Sequence, residues 1–141
     1  MTDLERFVEA QDGGGTYAAA LSELRAGRKT SHWMWFVFPQ VAGLGRSATA
    51  QRYAVSGLDE ARAYLAHPVL GPRLLESCEA LLSLPASATA TGVLGSIDAV
   101  KLRSSMTLFA RADPDQPVFG QVLDRYLDGR ADEATVGLLG E

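Results

Sequence analysis

Lys29, His32, Trp33 and Trp35 stand within seven consecutive residues, and each type can do chemistry that its neighbours cannot. A lysine ammonium can neutralise a phosphate or carboxylate. A histidine can donate a hydrogen bond or move a proton near neutral pH, which makes His32 the proton-transfer candidate. A tryptophan face can stack on a base or a cation, the role open to Trp33. Gln40, Gly43, Gly45, Arg46 and Ser47 follow closely. A Gly-x-Gly turn can present backbone N–H groups to an anion, with Arg46 supplying charge and Ser47 a hydroxyl. Much later, Asp98, Lys101 and Ser105 fall at i, i+3 and i+7, one stripe of a helix, with Ser104 flanking it. Lys101 lies among Ile97, Val100, Leu102 and Met106, and a buried ammonium needs a partner, for which Asp98 is nearest within the helix.

Every one of these residues also has a structural reading. Trp35, Phe36 and Phe38 have the composition of a core plug, and His32 beside them can be a hydrogen-bonded structural histidine. Gly43-Leu-Gly45 can be only a tight turn, and Asp98–Lys101 only an ion pair with Ser105 in helix–helix hydrogen bonds. Charge distribution argues for a site. No Asp or Glu occurs between Leu24 and Leu58, while Arg25, Arg28, Lys29, Arg46 and Arg52 do. That window carries +5 and the rest of the chain −9, within a net charge of −4. An acid-free basic stretch interleaved with aromatics suits an anionic, flat or partly apolar ligand.

Several chemistries are excluded by spacing. The third glycine of a dinucleotide fingerprint is missing after Gly45, and Arg28 separates Gly27 from Lys29 where a P-loop would join them. The Ser-x-x-Lys, Gly-x-Ser-x-Gly and His-Glu-x-x-His patterns do not occur. Two histidines, His32 and His67, with the single Cys78 make no metal signature, so neither metal nor cofactor is expected. Cys78 reads as a small core hydrophobe, and His67 before Pro68 as a turn or cap residue.

These residues must be positioned by helices. Thr2 and Glu5 have capping-box spacing, and Leu4, Phe7, Val8 and Gln11 give residues 3–11 one apolar helical face. Asp12 to Gly15 ends it, and Tyr17, Leu21 and Leu24 begin a second helix that closes near Gly27. The aromatic run from Ser31 is broken by Pro39 and by Gly43 and Gly45, which predicts a buried extended or single-turn segment. Ser56 and Asp59 suggest a cap for a helix over 58–66. Leu70, Leu74, Cys78, Leu81 and Leu82 recur at helical spacing, Pro85 to Gly92 reads as a loop, and Ile97 to about Phe109 as a helix buried on several sides. Helices over 118–127 and 132–139 complete a compact all-α domain of six or seven helices, with an irregular segment at 31–47.

At 141 residues, 47% hydrophobic and 21% charged, residues 1–141 read as one globular domain. No apolar run reaches the roughly 18–20 residues of a membrane span, the N-terminus lacks a signal-peptide core, and one cysteine fits a reducing cytoplasm. A pI near 5.2 argues against nucleic acid as partner.

With these residues assembled, the chain resembles the bacterial and fungal family filed as domain of unknown function 1810. The resemblance rests on Gly27-Arg-Lys-Thr-Ser-His-Trp-Met-Trp-Phe-Val-Phe-Pro-Gln40, Gly43-Leu-Gly45 with Ser47, Glu60-Ala61, Tyr64 to Gly71 with Arg73-Leu74, and Asp98 to Phe109. Leu94-Gly95 departs from the Phe-Gly pair of the pattern, a change at a packing position. The resemblance implies a mainly α-helical fold and no activity. The expectation is that the 29–47 segment packs on the 98–109 helix, bringing Lys29, His32, Gln40 and Ser47 toward Lys101 and Ser105. The function expected is binding, with or without processing, of a small anionic metabolite such as a nucleotide or phosphorylated compound. The alternative is a non-catalytic interaction or homodimerisation module.

Overall fold

The computed structural model describes residues 3–140, so Thr2 of the capping pair lies outside the described residues. Seven longer helices fall where periodicity places them: α1 (Glu5–Asp12), α2 (Thr16–Ala26), α5 (Leu58–Ala66), α6 (Leu70–Leu82), α8 (Ser96–Ala112), α9 (Val118–Tyr126) and α10 (Glu133–Leu138). Three short ones of four or five residues join them: α3 (Met34–Val37), α4 (Ala48–Arg52) and α7 (Ala90–Leu94). A turn of 3-10 helix, Gly13–Gly15, links α1 to α2. Residues 85–89 form the loop expected for Pro85 to Gly92, and helix α7 corrects that reading for its last three residues. The Thr89 hydroxyl accepts from the Gly92 N–H at 3.0 Å, so the small-residue stretch carries its own cap. The cap of α5 is also corrected: Gly57 occupies that position, and the Glu60 carboxylate accepts the Ser56 N–H at 2.9 Å. The described residues contain no strand, only an isolated parallel bridge between Val41 and Val55. No helix among them is long and apolar enough to cross a membrane.

Helix α8 runs through the middle of the bundle, packed by α5, α7, α9 and α10, while α6 closes the core against α2, α5 and α9. Burial of α8 is nearly continuous from Leu102 to Phe109. Such burial leaves its hydroxyls inside, and two are used: Thr107 Oγ donates to the Arg103 carbonyl at 2.7 Å and accepts the Asp132 N–H at 2.9 Å. Ser104 donates to the Asp132 carboxylate at 3.2 Å, and Asp132 also caps α10 through the Thr135 N–H at 3.0 Å. These bonds dock α10 on α8. His67 ends α5 and starts α6, its Nδ1 accepting the N–H groups of Val69 and Leu70 at 3.1 and 3.3 Å. Cys78 is buried with its sulfur 3.7 Å from Met106, and that burial raises its thiol pKa well above the ordinary range.

The α5–α6 corner depends on one glycine. A Cβ at Gly71 would stand 2.2 Å from the Leu65 carbonyl oxygen, a backbone atom that cannot swing aside. Gly71→Ala should therefore cost about 2 kcal/mol through forced repacking. Gly120 in α9 has nothing within 4 Å of a built Cβ, so Gly120→Ala should instead stabilise by about 0.5–1 kcal/mol. Urea midpoints of the two variants should move in opposite directions.

Candidate functional site

Helix α2 ends at Gly27, whose left-handed φ of 75° turns the chain out of the helix. The segment that follows is fastened from both sides. The Lys29 N–H donates to the Val93 carbonyl at 2.7 Å, tying it to α7. From behind, the Glu23 carboxylate accepts the N–H groups of Thr30 and Ser31 at 2.7 and 3.0 Å, the Ser31 hydroxyl at 2.6 Å and the Trp33 indole N–H at 3.0 Å. Partial burial works against ionisation of Glu23. The hydrogen bonds from Ser31, Thr30 and Trp33 outweigh it and hold its pKa at about 2.

With Trp33 anchored inward, the single turn of α3 sends Val37 and Phe38 to the core and presents Trp35 to a cleft. The cleft measures about 350 Å³ and is walled by Lys29, His32, Met34 and Trp35 on one side and by Leu94 to Asp98 and Lys101 on the other. Asp98 lies between the two lysines: its Oδ2 is 2.9 Å from Lys29 Nζ and its Oδ1 is 3.3 Å from Lys101 Nζ. The Lys101 ammonium is 4.5 Å from the centre of the Trp35 ring, and the Lys29 ammonium 5.1 Å from that of Trp33. Gly95 caps α8 at φ 87° and has no side chain to offer the helix's first N–H groups. Ser96 and Ile97, which open the helix, line the same wall, so the positive end of the helix dipole lies at the cleft.

Lys29, His32 and Lys101 of the expected site thus come together. The rest do not. Trp33 is fully buried, so its face is not free for stacking; the indole that lines the cleft is Trp35, for which the sequence left core and site both open. Ser105 is fully buried one turn below Lys101, and its hydroxyl has no hydrogen-bond partner. Gln40 is half-buried, its carbonyl accepting the Val55 N–H at 2.8 Å beside the Val41–Val55 bridge. Ser47 is spent as the cap of α4, accepting the Ala50 N–H at 3.1 Å. Gly45 leaves room for Ala50, whose Cβ would be 2.4 Å from a Cβ there, and Gly43 turns at φ 105° beside Leu138. Arg46 is exposed, with its carbonyl accepting from Gln51 at 3.1 Å. None of these five lines the cleft, which the 29–47 segment reaches only through Lys29, His32, Met34 and Trp35. Of the five window cations, only Lys29 does.

The sequence reading paired Asp98 with Lys101 alone and did not assign Glu23, Gly95 or Ile97 to the site. A glycine followed three residues later by an aspartate, ahead of a helical run, was the available signal for an open α8 N-terminus. Glu23 is the last acid before the charge gap. Among the described residues no three His, Cys, Asp or Glu gather as metal ligands.

The family model described as "Protein of unknown function (DUF1810)" matches residues 1–139. The structure is similar to the crystal structure of the conserved hypothetical protein Rv1873 from Mycobacterium tuberculosis, with a TM-score of 0.94 and 48% identity over 99% of this chain and 97% of that one. No curated protein matches the chain.

Proposed function

Starting from a chain that belongs to the DUF1810 family of proteins of unknown function, we propose that it binds a small anionic metabolite in the Lys29–Lys101 cleft. The observation that carries this reading is the sharing of one carboxylate by two lysines at 2.9 and 3.3 Å, inside a concave wall that includes an open helix N-terminus. Three charges then sum to +1 with only partial access to water, and the first turn of α8 adds about half a unit more. Clefts of this size are typical of small-molecule sites. His32, exposed on the cleft wall, is the group placed to hydrogen-bond a bound ligand or pass it a proton.

The test is a thermal-shift and calorimetric screen of inorganic phosphate, acetate and nucleoside monophosphates. Lys29→Gln and Lys101→Gln should each weaken any anion that binds by about tenfold or more, the worth of a hydrogen bond to a charged group. Arg46→Gln should leave its affinity unchanged, because Arg46 is outside the cleft. Equal losses in all three variants would point to general surface charge and defeat the reading.

A second reading, a non-catalytic interaction module, is favoured by one feature. Ile97 and Val100 are 73% and 57% exposed, a turn apart on α8. If a second copy covers them, the molecular mass in sedimentation should rise with concentration and fall back in Val100→Asp.

A further inference from the structure

The cleft's charge balance and apolar rim together narrow the class of ligand. Building on the anion-site reading above, we infer that the cleft selects a singly charged head on a compact apolar body, such as an aryl carboxylate or an aryl phosphodiester, over a doubly charged phosphomonoester. Asp98 sets the charge of the site. Both of its oxygens are engaged, one by each lysine, so neither ammonium offers a full unit of unopposed charge to a ligand. The side chains of Lys29, Asp98 and Lys101 are 9%, 16% and 23% exposed, so water screens this balance only partly. The attraction of such a site for an anion grows in proportion to the anion's charge. The hydration that the anion must surrender grows as the square of that charge. A site between about +1 and +1.5, counting the first turn of α8, therefore recovers the desolvation of a monoanion more fully than that of a dianion.

The rim supplies the second requirement. Trp35 and the 73% exposed Ile97 line the same cleft as the lysines, with Met34 and Leu94. Because the Lys101 ammonium lies 4.5 Å from the Trp35 ring centre, the charged and flat surfaces are contiguous. A ligand that fills both carries its anionic group directly on an apolar or aromatic body. A bare oxyanion would leave Ile97 in water.

Calorimetry at pH 8, where a phosphomonoester is a dianion, gives the test. The probes are phenylacetate, methyl phenyl phosphate, phenyl phosphate and acetate. Phenylacetate and methyl phenyl phosphate should each bind roughly tenfold more tightly than phenyl phosphate, and phenylacetate more tightly than acetate by a similar factor. Asp98→Asn, which raises the site by one charge, should move the ranking toward phenyl phosphate. The wild-type ranking decides the matter even if that variant fails to fold. Phenyl phosphate binding as tightly as the monoanions in the wild type would overturn the charge selection while leaving the anion site standing. Acetate matching phenylacetate would overturn the apolar body. No binding by any probe would remove the anion site itself, and this inference with it.

Discussion

Trp33→Ala should cost about 3–5 kcal/mol of folding stability, the range for emptying a fully buried aromatic site, whereas Trp35→Ala should cost about 1 kcal/mol and weaken the proposed binding of an aromatic anion about tenfold. The two indoles are two residues apart and chemically identical, so the contrast isolates environment. Trp33 is fully buried, packs 6.3 Å from Phe38 between ring centres, and donates its N–H to Glu23 at 3.0 Å. Removing it opens a large void and leaves a carboxylate lone pair without its partner. Trp35 is only half-buried and gives up chiefly its contact with the Lys101 ammonium. Trp33→Phe separates the terms: one ring of the indole is kept, so the hydrogen bond and a smaller void should together cost about 2–3 kcal/mol. Guanidinium midpoints for the three variants provide the measurement. Equal losses for the two alanine variants would mean that Trp35 is as deep in the core as Trp33.

Glu23→Ala is expected to be the second most damaging change, at about 2–4 kcal/mol, because it strands the indole N–H of the fully buried Trp33 and releases the backbone of Thr30 and Ser31. Its carboxylate gathers Thr30, Ser31 and Trp33, and so sets the path of the chain between Lys29 and Trp35. Acid should act in the same direction. The folded-state pKa is depressed to about 2 from the ordinary 4.5, so Glu23 contributes its full stability above about pH 4.5. That contribution falls away as the pH drops toward 2, where the folded protein must also take up the proton. In Glu23→Gln, which cannot ionise, this part of the pH dependence is absent. The stability gap between wild type and Glu23→Gln should be widest near neutral pH and close steadily below pH 4.5. Denaturation midpoints at pH 7, 4.5 and 3 would show it. A gap that stays constant with pH would mean that the Glu23 charge plays no part in holding the loop.

How much of this was legible beforehand differs sharply between elements. Helices α6 and α9 could be read residue by residue, because a leucine or aromatic at every third or fourth position states which face is buried. Helix α8 was legible as a helix and as buried on several sides. Its Asp98–Lys101 pair was readable too, since both partners lie on one stripe of it. The short helices α4 and α7 were not foreseen, and α3 only as one of two readings of its segment, extended or a single turn. Four or five residues do not complete enough turns for a period to register, and their caps, Ser47 and Thr89, are common loop residues.

The amino-acid order by itself determined the all-helical architecture, the acid-free window and the candidacy of Lys29, His32 and Lys101, because helix periodicity, capping and charge are local properties. Tertiary structure alone decided that Lys29 shares Asp98 with Lys101, that Gln40, Gly43, Gly45, Arg46 and Ser47 serve the turn rather than the cleft, and that Trp35 rather than Trp33 faces outward. Those outcomes depend on which distant segments meet. In the Trp-Met-Trp run the competition between two equal indoles is settled by a carboxylate on another helix, Glu23, which fixes one of them inside by its N–H.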